Sequence, residues 1–162
     1  MAMKTNGFYE VMEDLADFEE LAGALQKNIT PINVAGVSDS VRAHLAFCVS
    51  EKFQAPILLV AENEAAAMEI ADDLRFFSGA EVLYYGNSDI LFYDVDVKSH
   101  EIQKQRLEVL DYLFRNKGRR TYVVTTYSAL LSVTIPFKKY QENVITLKAV
   151  SYTHLRAHET GR

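Results

Sequence analysis

The chain holds a single cysteine, Cys48, among 162 residues. A lone thiol builds no disulfide framework, which points to a reducing, cytoplasmic setting. Long apolar runs are missing as well. No stretch approaches the roughly 20 residues that span a bilayer, and the N-terminus lacks a leader-peptide layout, so no membrane partner is expected. An excess of positive charge is the third absence. Basic residues number 17 against 22 acidic ones, a net of −5, which argues against a broad grip on the phosphate backbone of DNA or RNA. No internal repeat is visible. What remains is ordinary for a globular chain: 49% apolar and 24% charged residues, at a length that suits one domain with a sizeable core.

The stretch around which the chain is organised spans residues 32–52 and reads INVAGVSDSVRAHLAFCVSEK. Ile32 and Val34 predict a short strand, Gly36 a turn, and Ser38, Asp39 and Ser40 the capped start of a helix. Strand, glycine turn and helix make the setting of a phosphate-binding loop. Such a loop reads G-x-x-x-x-G-K-[ST], because backbone N–H groups cradle phosphates, Lys neutralises them and a hydroxyl holds magnesium. Here the second Gly is Val41, the Lys is Arg42 and the Ser/Thr is Ala43. Asp39 further places a carboxylate where an anion would sit. Gly36, Ser38, Asp39, Val41, Arg42 and Ala43 therefore form a vestigial loop, with no bound cofactor expected.

Before this stretch, Phe8, Val11, Leu15, Phe18, Ala22 and Leu25 recur at steps of three and four, predicting one helix. Its acidic face (Glu10, Glu13, Asp14, Asp17, Glu20) reads as solvated rather than as a partner surface. After it, a helix over 40–52 turns Val41, Leu45, Cys48 and Val49 inward. Residues 56–61, PILLVA, run apolar without alternation and predict a strand covered on both faces. A third helix, capped at Glu62 and Asn63, has Ala67, Met68, Ala71, Leu74 and Phe77 inward and stops at Gly79. Strands follow at 81–85 (EVLYY) and 122–126 (YVVTT). Between them a helix runs from Ser99 to about Arg115 with Ile102, Val109, Leu110, Leu113 and Phe114 on its apolar side, and Gly118 fits the C′ position beyond it. A short helix at 128–131, a break at Pro136 and a strand candidate at 144–148 complete the pattern. Alternating helices and strands imply a three-layer α/β/α domain on a mostly parallel sheet.

Three further groups invite chemistry. Cys48 lacks any His or base at a partner position and reads as a buried structural thiol. Asp94 and Asp96 suggest a carboxylate pair but have no third ligand nearby, so the solvated reading is preferred. Arg115, Lys117, Arg119 and Arg120 form a basic cluster that suits phosphate, yet equally answers the negative end of the preceding helix dipole, which is the preferred reading. No catalytic residue and no metal ligand set is expected.

In order and spacing, DDLRFFSG, DILFYDVD, SHEIQKQRLEVLDYL, YVVTTYSALL and VITLK resemble the amino-terminal region of bacterial transcription-repair coupling factor. The resemblance covers most of residues 8–148. It implies a first domain like that of the excinuclease B protein, a P-loop NTPase or helicase-like fold with a degenerate nucleotide site. It also implies a large cytoplasmic protein that displaces stalled RNA polymerase by ATP-driven translocation on double-stranded DNA and recruits the excinuclease A protein. In that family the module serves recruitment and restrains the motor by intramolecular contact. ATP and magnesium belong to a motor that this chain lacks. The domain plan is then 1–135 for the α/β domain, 136–149 for the start of the inserted excinuclease-interaction domain, and 150–162 for a tail.

That tail, VSYTHLRAHET and beyond, leaves the resemblance. His154, His158 and Glu159 mimic a helical metal pair, but the text is similar to a translated sequencing-library adapter, with Lys148 as the last native residue. Two other functions compete with the interaction module. An excinuclease B protein would itself need the missing Lys and Thr of the loop. An unrelated α/β domain would bind a small molecule at the carboxyl ends of its strands.

Overall fold

The computed structural model describes residues 6–87 and 97–143. Helices α1 (Asn6–Glu13), α2 (Ala16–Gln26) and α3 (Asp39–Phe53) precede strand β1 (Ile57–Ala61). Then follow α4 (Glu64–Ser78), β2 (Val82–Tyr85), α5 (Val97–Arg115), β3 (Tyr122–Thr126), α6 (Tyr127–Leu131) and α7 (Phe137–Asn143). The three strands form one parallel sheet in the order β1-β3-β2, with Ile57 and Val82 both opposite Tyr122. Parallel pairing follows from helical crossovers, since each strand is reached only after a helix returns the chain to the starting end. The expected α/β class with a parallel sheet is therefore observed.

Local chemistry sets the ends of α4. Asn63 accepts the Ala66 N–H at 2.9 Å, and Gly79 leaves the helix at φ 56° with its N–H on the Arg75 carbonyl. That left-handed conformation is open to glycine without strain. Two apolar layers flank the sheet. Phe47, Ala67, Ala71 and Leu74 pack with Tyr122 and Val124 on the side of α3 and α4. Leu83, Tyr85 and Val123 pack with Val109 and Ala129 on the side of α5 and α6. No described helix is long and apolar enough to cross a membrane.

Five expectations need correction. The single N-terminal helix is two, broken at Asp14 and Leu15, because the chain turns to bury Met12 and Phe18 while Phe8, Val11 and Leu15 stay exposed. Docking of α1 across α3 forces that turn: His44 Nε2 donates to the Phe8 carbonyl at 2.8 Å. The strand expected at Ile32 and Val34 is not formed; residues 32–38 lie in neither helix nor strand. Strand β1 is covered on one face only, with Leu58 57% and Val60 48% exposed, because α5 lies over β2. Met68, expected inward on α4, is 56% exposed, and Val41 on α3 is exposed as well; their periodic positions fall at the margins of the buried stripes. The helix expected from Ser99 begins at Val97. The strand candidate at 144–148, Asp94, Asp96 and the tail histidines lie outside the described residues.

Helix α7 packs back on α5. Phe137 and Tyr140 meet the Phe114 ring at 4.4 and 4.9 Å between centroids, and the Tyr140 hydroxyl donates to Asp111. Asp111 also takes Arg115 at 2.7 Å, and these donors, Arg115 foremost, hold its carboxyl below the usual carboxylate range. A depressed folded pKa contributes stability above the unfolded value, lost as pH falls through the folded one. The ring resonances of Phe137 and Tyr140 are therefore expected to shift below about pH 4, and Asp111→Asn to abolish that dependence. An unchanged titration in Asp111→Asn would refute the role of this carboxyl.

Candidate functional site

Gly36 and the start of α3 carry the stretch that reads in the sequence as a vestigial phosphate loop. Gly36 has φ 76° and open space around its missing side chain, so the turn itself survives. The N–H groups of Val41 and Arg42 both donate to the Ser38 carbonyl, at 3.0 and 3.2 Å. They are spent inside the first helical turn. Ser38 makes no side-chain cap; its hydroxyl lies 3.4 Å from that of Ser40. Arg42 forms an ion pair with Asp39 at 2.9 Å, so the one cation of the loop is answered by the loop's own carboxylate. Ala43 is 0% exposed, turned into the core where a magnesium-binding hydroxyl could not reach solvent.

The cleft in front of this loop carries the wrong sign of charge for a phosphate. A cavity of about 450 Å³ between the first turn of α3 and the first three turns of α4 is lined by Asp39, Arg42, Glu62, Asn63, Glu69 and Asp73. Four carboxylates face one guanidinium, which repels a polyphosphate at contact range. Sequence reasoning found Asp39 but missed Glu62, Glu69 and Asp73. Glu62 lies in the connection from β1 to α4, and Glu69 and Asp73 follow four residues apart on one helix face, a spacing legible in the sequence. Among the described residues no group of three acidic, His or Cys side chains is arranged to hold a metal ion.

The other candidates are occupied by structure. Cys48 is fully buried, and burial, with Glu51 adding to it, pushes its thiol up to about 12. It is inert at neutral pH. In the basic cluster, Arg115 pairs with Asp111 and Arg120 with Glu51, Arg119 donates to the Asn116 side chain at 3.2 Å, and Lys117 sits 4.6 Å over the Phe137 ring. These contacts, rather than the helix dipole alone, account for the cluster. Arg106 was missed altogether. It falls four residues after Ile102 and three before Val109, inside the apolar stripe, and is only 5% exposed. Its guanidinium donates to the carbonyls of Gly86 (2.7 Å), Ala129 (3.3 Å) and Val133 (3.3 Å) and to the Thr134 hydroxyl (3.1 Å). It also lies 4.1 Å over the Tyr85 ring. The carboxyl ends of β2 and β3, where an α/β domain would open a ligand crevice, are thus tied together by Arg106.

No family model matches the chain, and no solved structure matches it. Over 133 residues, 82% of its length, the chain is 24% identical to the transcription-repair-coupling factor of Bacillus subtilis (strain 168). The match spans 11% of that protein. The relationship is distant.

Proposed function

We propose that the chain is a non-catalytic interaction and regulatory module of a transcription-coupled DNA repair factor. The observation that carries this reading is a phosphate loop with every working part diverted, in a chain similar over most of its length to a transcription-repair-coupling factor. An enzyme domain of the excinuclease B type would keep its cation and hydroxyl free. A small-molecule α/β domain would leave the carboxyl ends of its strands open, and Arg106 fills them. In this reading ATP-driven translocation and polymerase displacement belong to parts of a much longer protein, and this module acts by contact: with the motor, and with the excinuclease A protein through the domain that begins near residue 136.

The recruiting surface is then largely outside the present chain. A specific interface needs about 800 Å² per partner, more than residues 136–149 supply. Calorimetry against the excinuclease A protein is expected to show no micromolar binding by the 162-residue chain and clear binding once the native reading frame continues through the inserted domain. Tight binding by the present chain would move the contact onto the α/β domain; no binding by either would remove the recruiting role.

A further inference from the structure

An apolar surface without charge lies on the α5 side of the sheet. Residues 55–61 and 121–137 carry no charged side chain, in a chain of net charge −5. Within the second stretch Tyr127, Leu130, Leu131, Val133 and Ile135 are exposed, Leu131 by 68% and Val133 by 94%. Leu58 and Val60 belong to the same surface. They stand opposite Val123 and Thr125 in the parallel register, and residues paired across a sheet point to one face. Val123 packs with Val109 and Ala129, so that face is the one carrying α5 and α6. Helix α5 lies over β2, and α6 has only five residues, which leaves Leu58 and Val60 exposed.

We infer that this surface is the contact of a homodimer, in which a second copy of the chain lies face to face with the first across a twofold axis. Charge selects that occupant. Two copies of an acidic chain repel over most of their surfaces, and a twofold contact sets a patch against itself. A face free of charge meets itself with no like-charge penalty. The face of α3 and α4, where Asp39, Glu62, Glu69 and Asp73 gather, does not.

Area agrees with charge. The exposed parts of the five side chains from Tyr127 to Ile135, with Leu58 and Val60, come to roughly 700 Å². The largest apolar patch of an ordinary monomer is about 300–600 Å², and a specific contact takes about 800 Å² per partner. Phe137 at the rim, 37% exposed, supplies most of the difference. Pairing buries the bare half of the sheet face and leaves the acidic cleft between α3 and α4 on the outside of the dimer.

Sedimentation equilibrium of the full 162-residue chain reads the pairing. The mass is expected to rise from one chain toward two between about 1 and 100 µM, at the weak end for a contact of this size. Val133→Asp is expected to raise the dissociation constant tenfold or more, about 1.4 kcal/mol, by placing a carboxylate in the contact. Because Val133 is almost fully exposed in the single chain, the variant still folds, with an unchanged circular dichroism spectrum. Val11→Asp, at an equally exposed position on α1 outside this surface, is expected to change the constant less than about twofold. A single-chain mass at about 100 µM would overturn the inference. So would pairing that ignores Val133→Asp, equal weakening by Val11→Asp, or masses that climb past two chains, which would mark open-ended aggregation.

Discussion

Arg106→Met is expected to destabilise the chain by about 3–6 kcal/mol in urea melts, since all four hydrogen bonds are lost, and the two shorter ones, each to a charged donor, contribute about 1.5–3 kcal/mol apiece. Met fills much of the volume, so the loss reports the donors rather than a cavity. Stripped of the guanidinium, the carbonyls of Gly86, Ala129 and Val133 lose their Arg106 bonds. Against the 5–15 kcal/mol typical of a domain, the change is large. Arg106→Lys keeps the charge but reaches fewer acceptors, and is expected to lose about half as much, because a single ammonium cannot serve four acceptors in a fork. A loss below about 1 kcal/mol in Arg106→Met, the scale of ordinary surface changes, would show that the carbonyls find water instead. The loss should also appear locally: amides of α6 and of Val133 and Thr134 are expected to lose protection before those of α3 and α4, whose core does not touch Arg106.

The second large effect expected is a failure to bind ATP. Two charge-assisted hydrogen bonds are missing, to the Lys and to the magnesium hydroxyl, each worth about 1.5–3 kcal/mol. Together they weaken a micromolar site by at least about 100-fold, to about 0.1 mM or worse. The structure adds to that. Arg42 is already neutralised by Asp39 at 2.9 Å, and Glu62, Glu69 and Asp73 line the approach. Titration with ATP and magnesium is expected to show no saturation below about 0.1 mM, and Arg42→Ala to behave like the wild type. Saturable binding under about 10 µM, abolished by Arg42→Ala, would revive the enzyme reading. Asp39→Ala separates the causes. If the paired carboxylate were the sole defect, freeing Arg42 would restore binding; with Ala43 buried and the N–H groups of Val41 and Arg42 engaged, no restoration is expected.

The regular elements were legible where one local rule decided them. Asn63 and Gly79 mark the ends of α4 because a side-chain cap and a left-handed backbone are properties of single residues. The strands at 82–85 and 122–126 follow from β-branched and aromatic runs bounded by turn residues. The absence of a phosphate loop's Gly, Lys and Ser or Thr was readable too, since it rests on which side chains are present at Val41, Arg42 and Ala43. Element faces fared less well. Leu58 and Val60 sit in an unbroken apolar run that resembles a strand covered on both sides, and nothing local reveals that α5 lies over β2 and leaves β1 bare. Arg106 was passed over because a charge in a helix is normally read as solvated, and its acceptors come from positions 20 to 28 residues away.

The sequence by itself determined the class of the fold, the alternation of helix and strand, and the absence of a second Gly, a Lys and a Ser or Thr at positions 41–43. These depend on residue type and on neighbours within a turn or two. Only the tertiary structure decided the strand order β1-β3-β2, the acidic cleft that gathers Asp39 with Glu62, Glu69 and Asp73, the buried clamp at Arg106, and the exposure of Leu58 and Val60 on β1. Each of these is a relation between segments far apart in the chain. Such relations are set by which apolar faces bury one another best, a sum over many weak contacts that no single stretch of sequence contains.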